Sequence, residues 1–95
     1  MVELNEIRKL DVDDLIIMNM ALKEGIMTLQ IARRLSLTPP AISHRLNKYA
    51  SVFGPDIYEA KAVKSTKHMR KTLTEKGKKI FTKCSKALAA LYSLS

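Results

Sequence analysis

Apolar residues recur at helical spacing in four main stretches of the chain, with an alternating stretch between the third and the fourth. The opening Val2, Leu4, Ile7 and Leu10 give only a weak helical pattern, whereas Leu15, Met18, Ala21 and Leu22 form a clear stripe. Asp11 ahead of Asp14 is an N-cap pattern with an acid in the first turn, and Gly25 is a stop. Together they predict a helix over residues 12–24. Thr28 then caps a short helix over residues 29–35, with Ile31, Ala32 and Leu35 facing inward. After Ser36 and Leu37, Thr38 precedes two prolines. Proline is tolerated only in a first turn, where its missing amide hydrogen has no intrahelical partner. The Thr38 hydroxyl is therefore left with the Ala41 amide to accept from, which fixes the start of a third helix. Its apolar stripe is Ile42, Leu46, Tyr49 and Phe53.

The opposite face of that helix carries the first candidate chemistry. At about 100° per residue, Pro40, His44, Asn47, Lys48 and Ser51 point away from the stripe, with Ser43 and Arg45 on its flanks. The face is polar, small and cationic, and holds no carboxylate. Two short helices joined by a tight turn, the second bearing such a face, are what a helix-turn-helix presents to a major groove. Ala32, Ser36 and Ile42 suit the helix crossing, the turn and the inward packing position. The motif spans residues 28–53. Alternation over residues 57–63 and a second short strand at 69–73 then predict a hairpin. It carries Lys61, Lys64, Lys67, Arg70 and Lys71 against one acid, Glu59, with His68 also present. Such a cationic wing, residues 57–73, would lie along phosphates or enter a minor groove.

Thr74 caps a last helix over residues 75–92. Ile80, Cys84, Ala87, Leu91 and Leu94 alternate by four and three, broadened by Phe81 and Leu88, while Lys76, Lys79, Lys83 and Lys86 line the other side. The stripe either folds back on the first helix or pairs with its twin. The second is the expectation, because so small a domain has little core to cover it and helix-turn-helix modules usually read two half-sites.

Composition narrows the function. A chain of 95 residues with 46% hydrophobic positions makes one domain, residues 1–95, and not a disordered basic tail. The net charge of +8 is unevenly spread: residues 1–27 hold three basic and six acidic residues, and residues 28–95 fourteen and three, so −3 is followed by +11. An anionic partner would meet the later part. One cysteine forms no internal disulfide, and no apolar run approaches a membrane span, so the expectation is a cytoplasmic, nucleoid-associated protein without a membrane partner. Two histidines and Cys84 lie far apart and no glycine-rich phosphate loop is present, so neither enzyme, metal site nor cofactor is expected. Cys84, Tyr49 and Phe53 read as packing residues.

Residues 35–46 (Leu-Ser-Leu-Thr-Pro-Pro-Ala-Ile-Ser-His-Arg-Leu), then Phe53-Gly54, Ile57-Tyr58-Glu59 and Leu73-Thr74-Glu75-Lys76-Gly77, resemble the N-terminal winged helix-turn-helix of LysR-type transcription regulators and of the related ModE regulators. The resemblance covers residues 15 to 90. It implies that Thr38, Pro39, Pro40, Ser43 and His44 meet bases and phosphates, and that the last helix dimerises. Pro39 stands where the family commonly has Gln, and His44 where Arg is usual; both changes weaken direct base readout. The wing is longer than the family pattern and more basic. The chain ends at Ser95, where such a regulator would continue into an effector-binding domain, so no small-molecule sensing is expected.

The expected fold is thus mainly α with minor β, a winged helix-turn-helix with a two-stranded wing and a long dimerisation helix. The expected function is sequence-specific binding of double-stranded DNA by a homodimeric transcription regulator, a repressor, the alternative being a low-specificity architectural or nucleoid-type protein. The DNA-facing set is Thr28, Thr38, Pro39, Pro40, Ser43, His44, Arg45, Asn47, Lys48, Lys64, Lys67, His68, Arg70 and Lys71. The dimer set is Ile80, Phe81, Cys84, Ala87, Leu88, Leu91 and Leu94.

Overall fold

Helix ends are set by local chemistry throughout the computed structural model, which describes residues 9–62 and 69–93, with side chains for 9–60 and 71–93. The opening apolar pattern up to Arg8, together with Val63, Lys64, Lys67, His68 and Leu94, lies outside the described residues. Helix α1, Val12–Glu24, begins with a reciprocal capping box: the Asp14 amide donates to Asp11 Oδ1 at 3.0 Å and the Asp11 amide to Asp14 Oδ2 at 2.9 Å. It ends at Gly25, whose φ of 85° is open to glycine at little cost. Helix α2, Thr28–Leu35, departs from expectation at its start. Thr28 is its first residue and not its cap; Met27 takes the cap position and supplies no side-chain hydrogen bond.

The turn after α2 is tight. Ser36 adopts a left-handed φ of 56°, and the Leu37 amide reaches back to the Ala32 carbonyl at 2.9 Å, so the last carbonyls of the helix are used. Helix α3, Pro39–Phe53, then starts as the two prolines require: Thr38 is the cap, and its hydroxyl accepts from the Ala41 amide at 3.3 Å. A 3-10 turn, Pro55–Ile57, takes Ile57 out of the expected strand and buries it. Strands β1, Tyr58–Ala62, and β2, Met69–Leu73, pair antiparallel, with Tyr58 opposite Leu73 and Lys61 opposite Arg70. Helix α4, Glu75–Ser93, closes the chain. The fold is mainly helical with one small antiparallel hairpin, and no helix of the described residues is long and apolar enough to cross a membrane.

One core joins all these elements. Ile17, Met18 and Ala21 of α1, Ile31 and Ala32 of α2, and Ile42, Leu46 and Tyr49 of α3 meet Ile57, Leu73 and the inward face of α4. Phe81 sits at the centre, edge-on to Tyr49 (5.6 Å between centroids) and to Tyr58 (6.3 Å). Consequently the last helix folds back on α1 within its own chain. Phe81 and Cys84 are fully buried there and Leu88 nearly so, which withdraws these three from the expected dimer face. Ile80 and Ala87 are half-buried against the same core, and Leu91 remains exposed.

The junction between hairpin and α4 is also specified in detail. The Thr74 amide donates to the Ile57 carbonyl at 3.0 Å, its hydroxyl donates to the Asp56 carbonyl at 2.8 Å, and the Gly77 amide donates to that hydroxyl at 3.0 Å. Lys76 pairs with Asp56 at 2.7 Å. A Cβ at Gly77 would overlap the Ile57 carbonyl oxygen, so the helix can approach the 3-10 turn only with glycine at that position.

Candidate nucleic-acid interface

Helix α3 has two sides of opposite character. Thr38, Pro39, Pro40, Ser43, His44, Asn47 and Ser51 are exposed, and no acidic residue occurs anywhere in the helix. Pro40, His44, Asn47 and Ser51 lie on the face opposite Ile42, Leu46 and Tyr49, as the spacing predicts, with Ser43 on its flank and Thr38 and Pro39 at the start of the helix. Their side chains offer hydroxyl, imidazole and amide groups able to donate to or accept from base edges, and two apolar pyrrolidine rings.

Arg45 and Lys48 do not join them. The Arg45 guanidinium turns toward the start of α1 and contacts Asp11 Oδ1 at 2.9 Å, Asp14 Oδ1 at 3.1 Å and Asp13 Oδ2 at 3.8 Å. The Lys48 ammonium donates to the Lys9 carbonyl at 3.4 Å and lies 3.9 Å from Asp14 Oδ2. In the free chain both side chains thus make intramolecular contacts, with 24% of Arg45 and 38% of Lys48 still exposed. The sequence places Lys48 on the polar face and Arg45 on its flank, but it does not reveal that three carboxylates lie beside them.

Asp14 is the centre of this cluster and is fully buried. Besides Arg45 and the Asp11 amide, it accepts a short hydrogen bond from the Tyr49 hydroxyl. No buried side-chain nitrogen or oxygen among the described residues is left without a partner, as a dry interior requires. Burial and then the bond to Asp14 push the Tyr49 hydroxyl well above its ordinary range. Desolvation works against ionisation of Arg45 and Asp11, but their mutual pairing outweighs it: the guanidinium is held cationic more firmly, and the Asp14 amide and Arg45 lower the Asp11 carboxyl. Sequence reading assigned Asp11 and Asp14 to a helix start. The burial of Asp14 against Arg45 and Tyr49, which lie four residues apart on α3, has no signal in the sequence pattern.

Around the polar face the picture is uneven. Thr28 is half-buried and lines, with Ile26, Met27, Leu29, Gln30 and Arg33, a shallow depression of about 430 Å³. Leu29 is 62% exposed there, an apolar surface that the sequence pattern did not single out. Lys71 is exposed on β2, with its ammonium 5.0 Å above the Tyr58 ring. Arg70 occupies the ladder position opposite Lys61, and Lys64, Lys67 and His68 belong to the segment outside the described residues. Comparison with protein-family models, with characterised proteins and with solved structures finds no match to this chain.

Proposed function

We propose that the chain is a double-stranded DNA-binding transcription regulator of winged helix-turn-helix type that acts as a homodimer and represses by occluding a promoter. The observation that carries this reading is the exposed, carboxylate-free face of α3, which stands directly after the tight turn from α2. Inserted in a major groove, that face would bring Ser43, His44 and Asn47 to base edges, with Pro39 and Pro40 available to thymine methyl groups. The hairpin cations would follow the backbone phosphates. Two copies would read half-sites about 34 Å apart. The excess of fourteen basic over three acidic residues after position 27 supplies the attraction.

A second reading is a low-specificity architectural DNA-binding protein. The pairing of Arg45 and Lys48 with the Asp11 and Asp14 cluster favours it, because either cation of α3 would have to give up an intramolecular contact to grip a guanine. Selection from a random duplex pool at about 150 mM salt, where non-specific binding is weakened, separates the two. An enriched inverted repeat supports the regulator. An unenriched pool, or one enriched only in A·T content, supports the architectural protein, and no retention at all rejects both.

A further inference from the structure

The buried cluster joins the start of α1 to the middle of α3, and its position bears on what α3 can read. Ile42 and Leu46 hold α3 through apolar contacts, which are strong but non-directional. One directional bond reaches the helix from β1, where the Tyr58 hydroxyl donates to the Leu46 carbonyl at 2.9 Å, and the side-chain restraints lie on the flank that faces α1. There Arg45 and Tyr49, four residues apart and so on the same side of the helix, both donate to Asp14 Oδ1. Asp14 is itself immobilised, since its second oxygen accepts the Asp11 amide at 2.9 Å within the capping box. Arg45 is tied a second time, to Asp11 at 2.9 Å. The tyrosine ring is seated edge-on against Phe81. A rotation of α3 by about 10° would move a side-chain tip on its outer radius by about 1 Å. That displacement breaks the Asp14 bonds on one flank and equally misplaces a base contact on the other face.

From this geometry we infer that Asp14 is a positioning residue: through Arg45 and Tyr49 it fixes the rotation of α3 and thereby decides which base edges Ser43, His44 and Asn47 meet. The inference deepens the proposed DNA-reading function and rests on it. Asp14 does not itself approach DNA, being fully buried. Arg45 acts from the inner flank as an anchor. Phosphate attraction tolerates small rotations of the helix, whereas base-edge hydrogen bonds do not. Loss of the anchor therefore degrades discrimination and spares general affinity.

The test uses the full chain and two duplexes, one enriched by the wild-type protein from a random pool and one a scramble of it. Tyr49→Phe removes a single hydroxyl and keeps the ring, and Asp14→Asn keeps the shape and removes the charge; circular dichroism establishes that each variant is folded. The expected result is a fall of about tenfold in the ratio of enriched to scrambled affinity, with affinity for the scramble within about twofold of wild type. Repeating the selection with Tyr49→Phe should also return an altered or blurred site. If Asp14→Asn does not fold, Tyr49→Phe alone carries the test. An unchanged ratio in the folded variants, or an equal loss on both duplexes, overturns the positioning role and leaves DNA reading intact. A wild-type protein that enriches no sequence overturns the sequence-reading function and this inference with it.

Discussion

Asp14 is the residue whose loss the structure makes most costly. Removing its carboxylate leaves the buried Tyr49 hydroxyl without its acceptor and Arg45 with Asp11 as its remaining close partner. Asp14→Ala should destabilise the fold by roughly 3 kcal/mol, at the lower end of what breaking a buried pair costs, because Arg45 keeps 24% of its side-chain surface in water. A urea titration followed by circular dichroism measures it, and a loss below about 1 kcal/mol would mean the cluster contributes little. The same neighbourhood sets an acid response. Both Asp11 and Asp56 have carboxyls lowered from 3.8, Asp11 against partial burial by the Asp14 amide and Arg45, and Asp56 by the Lys76 hydrogen bond. A depressed folded pKa contributes stability above the unfolded value and loses it as pH falls through the folded one. The urea midpoint should therefore start to decline as pH drops below about 4, and Asp11→Asn should flatten that decline. Gly77 belongs at this scale too. Alanine is the better helix former by about 1 kcal/mol, yet Gly77→Ala should destabilise, since its Cβ would meet the Ile57 carbonyl and lie 3.0 Å from Leu73 Cδ2.

Among the elements, those delimited by their own residues are the ones that the amino-acid pattern reveals. Helix α1 spans the residues expected of it, because Asp11 and Gly25 each satisfy a backbone need within one turn. The start of α3 is legible for the same reason: two adjacent prolines leave one workable register and one amide for Thr38 to cap. Thr28 misled because a threonine ahead of a helical stripe can as readily be the first residue of the helix as its cap, and here Met27 takes the cap position with no side-chain hydrogen bond. Arg45 and Lys48 misled for a deeper reason. A helical projection gives the angle of a side chain but not what the neighbouring helix places opposite, and the start of α1 lies 34 residues from Arg45 in the chain. The exposed face of α3 and the cationic hairpin then make separable contributions to the proposed DNA binding. Replacing Lys64, Lys67, Arg70 and Lys71 by Gln should reduce the slope of log affinity against log salt by as much as about 3 to 4, whereas Ser43→Ala with His44→Ala should leave the slope nearly unchanged and lower discrimination. Binding measured across a salt series decides between them, and an unaltered slope in the hairpin variant would remove the wing from the interface.

At the scale of the whole molecule, the question is what one chain can give to a second copy. The apolar stripe of the last helix was legible in the sequence, but its destination was not, since a stripe of this length serves equally to cover α1 or to meet a twin. In the folded chain Phe81, Cys84 and Leu88 are spent on the core, under Tyr49 and Tyr58 and against α1. A proposed dimer built on these three would have to unfold its own subunits first, at a cost comparable to the whole stability of a domain this size, about 5–15 kcal/mol. What α4 itself keeps apolar and exposed is its last turns, where Ala89, Ala90, Leu91 and Tyr92 are exposed, and no charged side chain occurs in the sequence after Lys86. Like charges would oppose any symmetric contact along Lys76, Lys79 and Lys83, whereas a twofold contact over the uncharged turns meets no such penalty. Two substitutions should therefore separate folding from assembly. Cys84→Ser places a hydroxyl in the core and should lower the unfolding midpoint while leaving the association constant of the folded protein unchanged. Leu91→Glu should weaken association at least tenfold and leave the midpoint within the scatter of surface substitutions, about 0.5 kcal/mol. Sedimentation equilibrium beside urea unfolding reads both quantities. The opposite pattern, assembly lost in Cys84→Ser with stability intact, would return the buried seam to the interface and require α4 to leave α1 in the dimer.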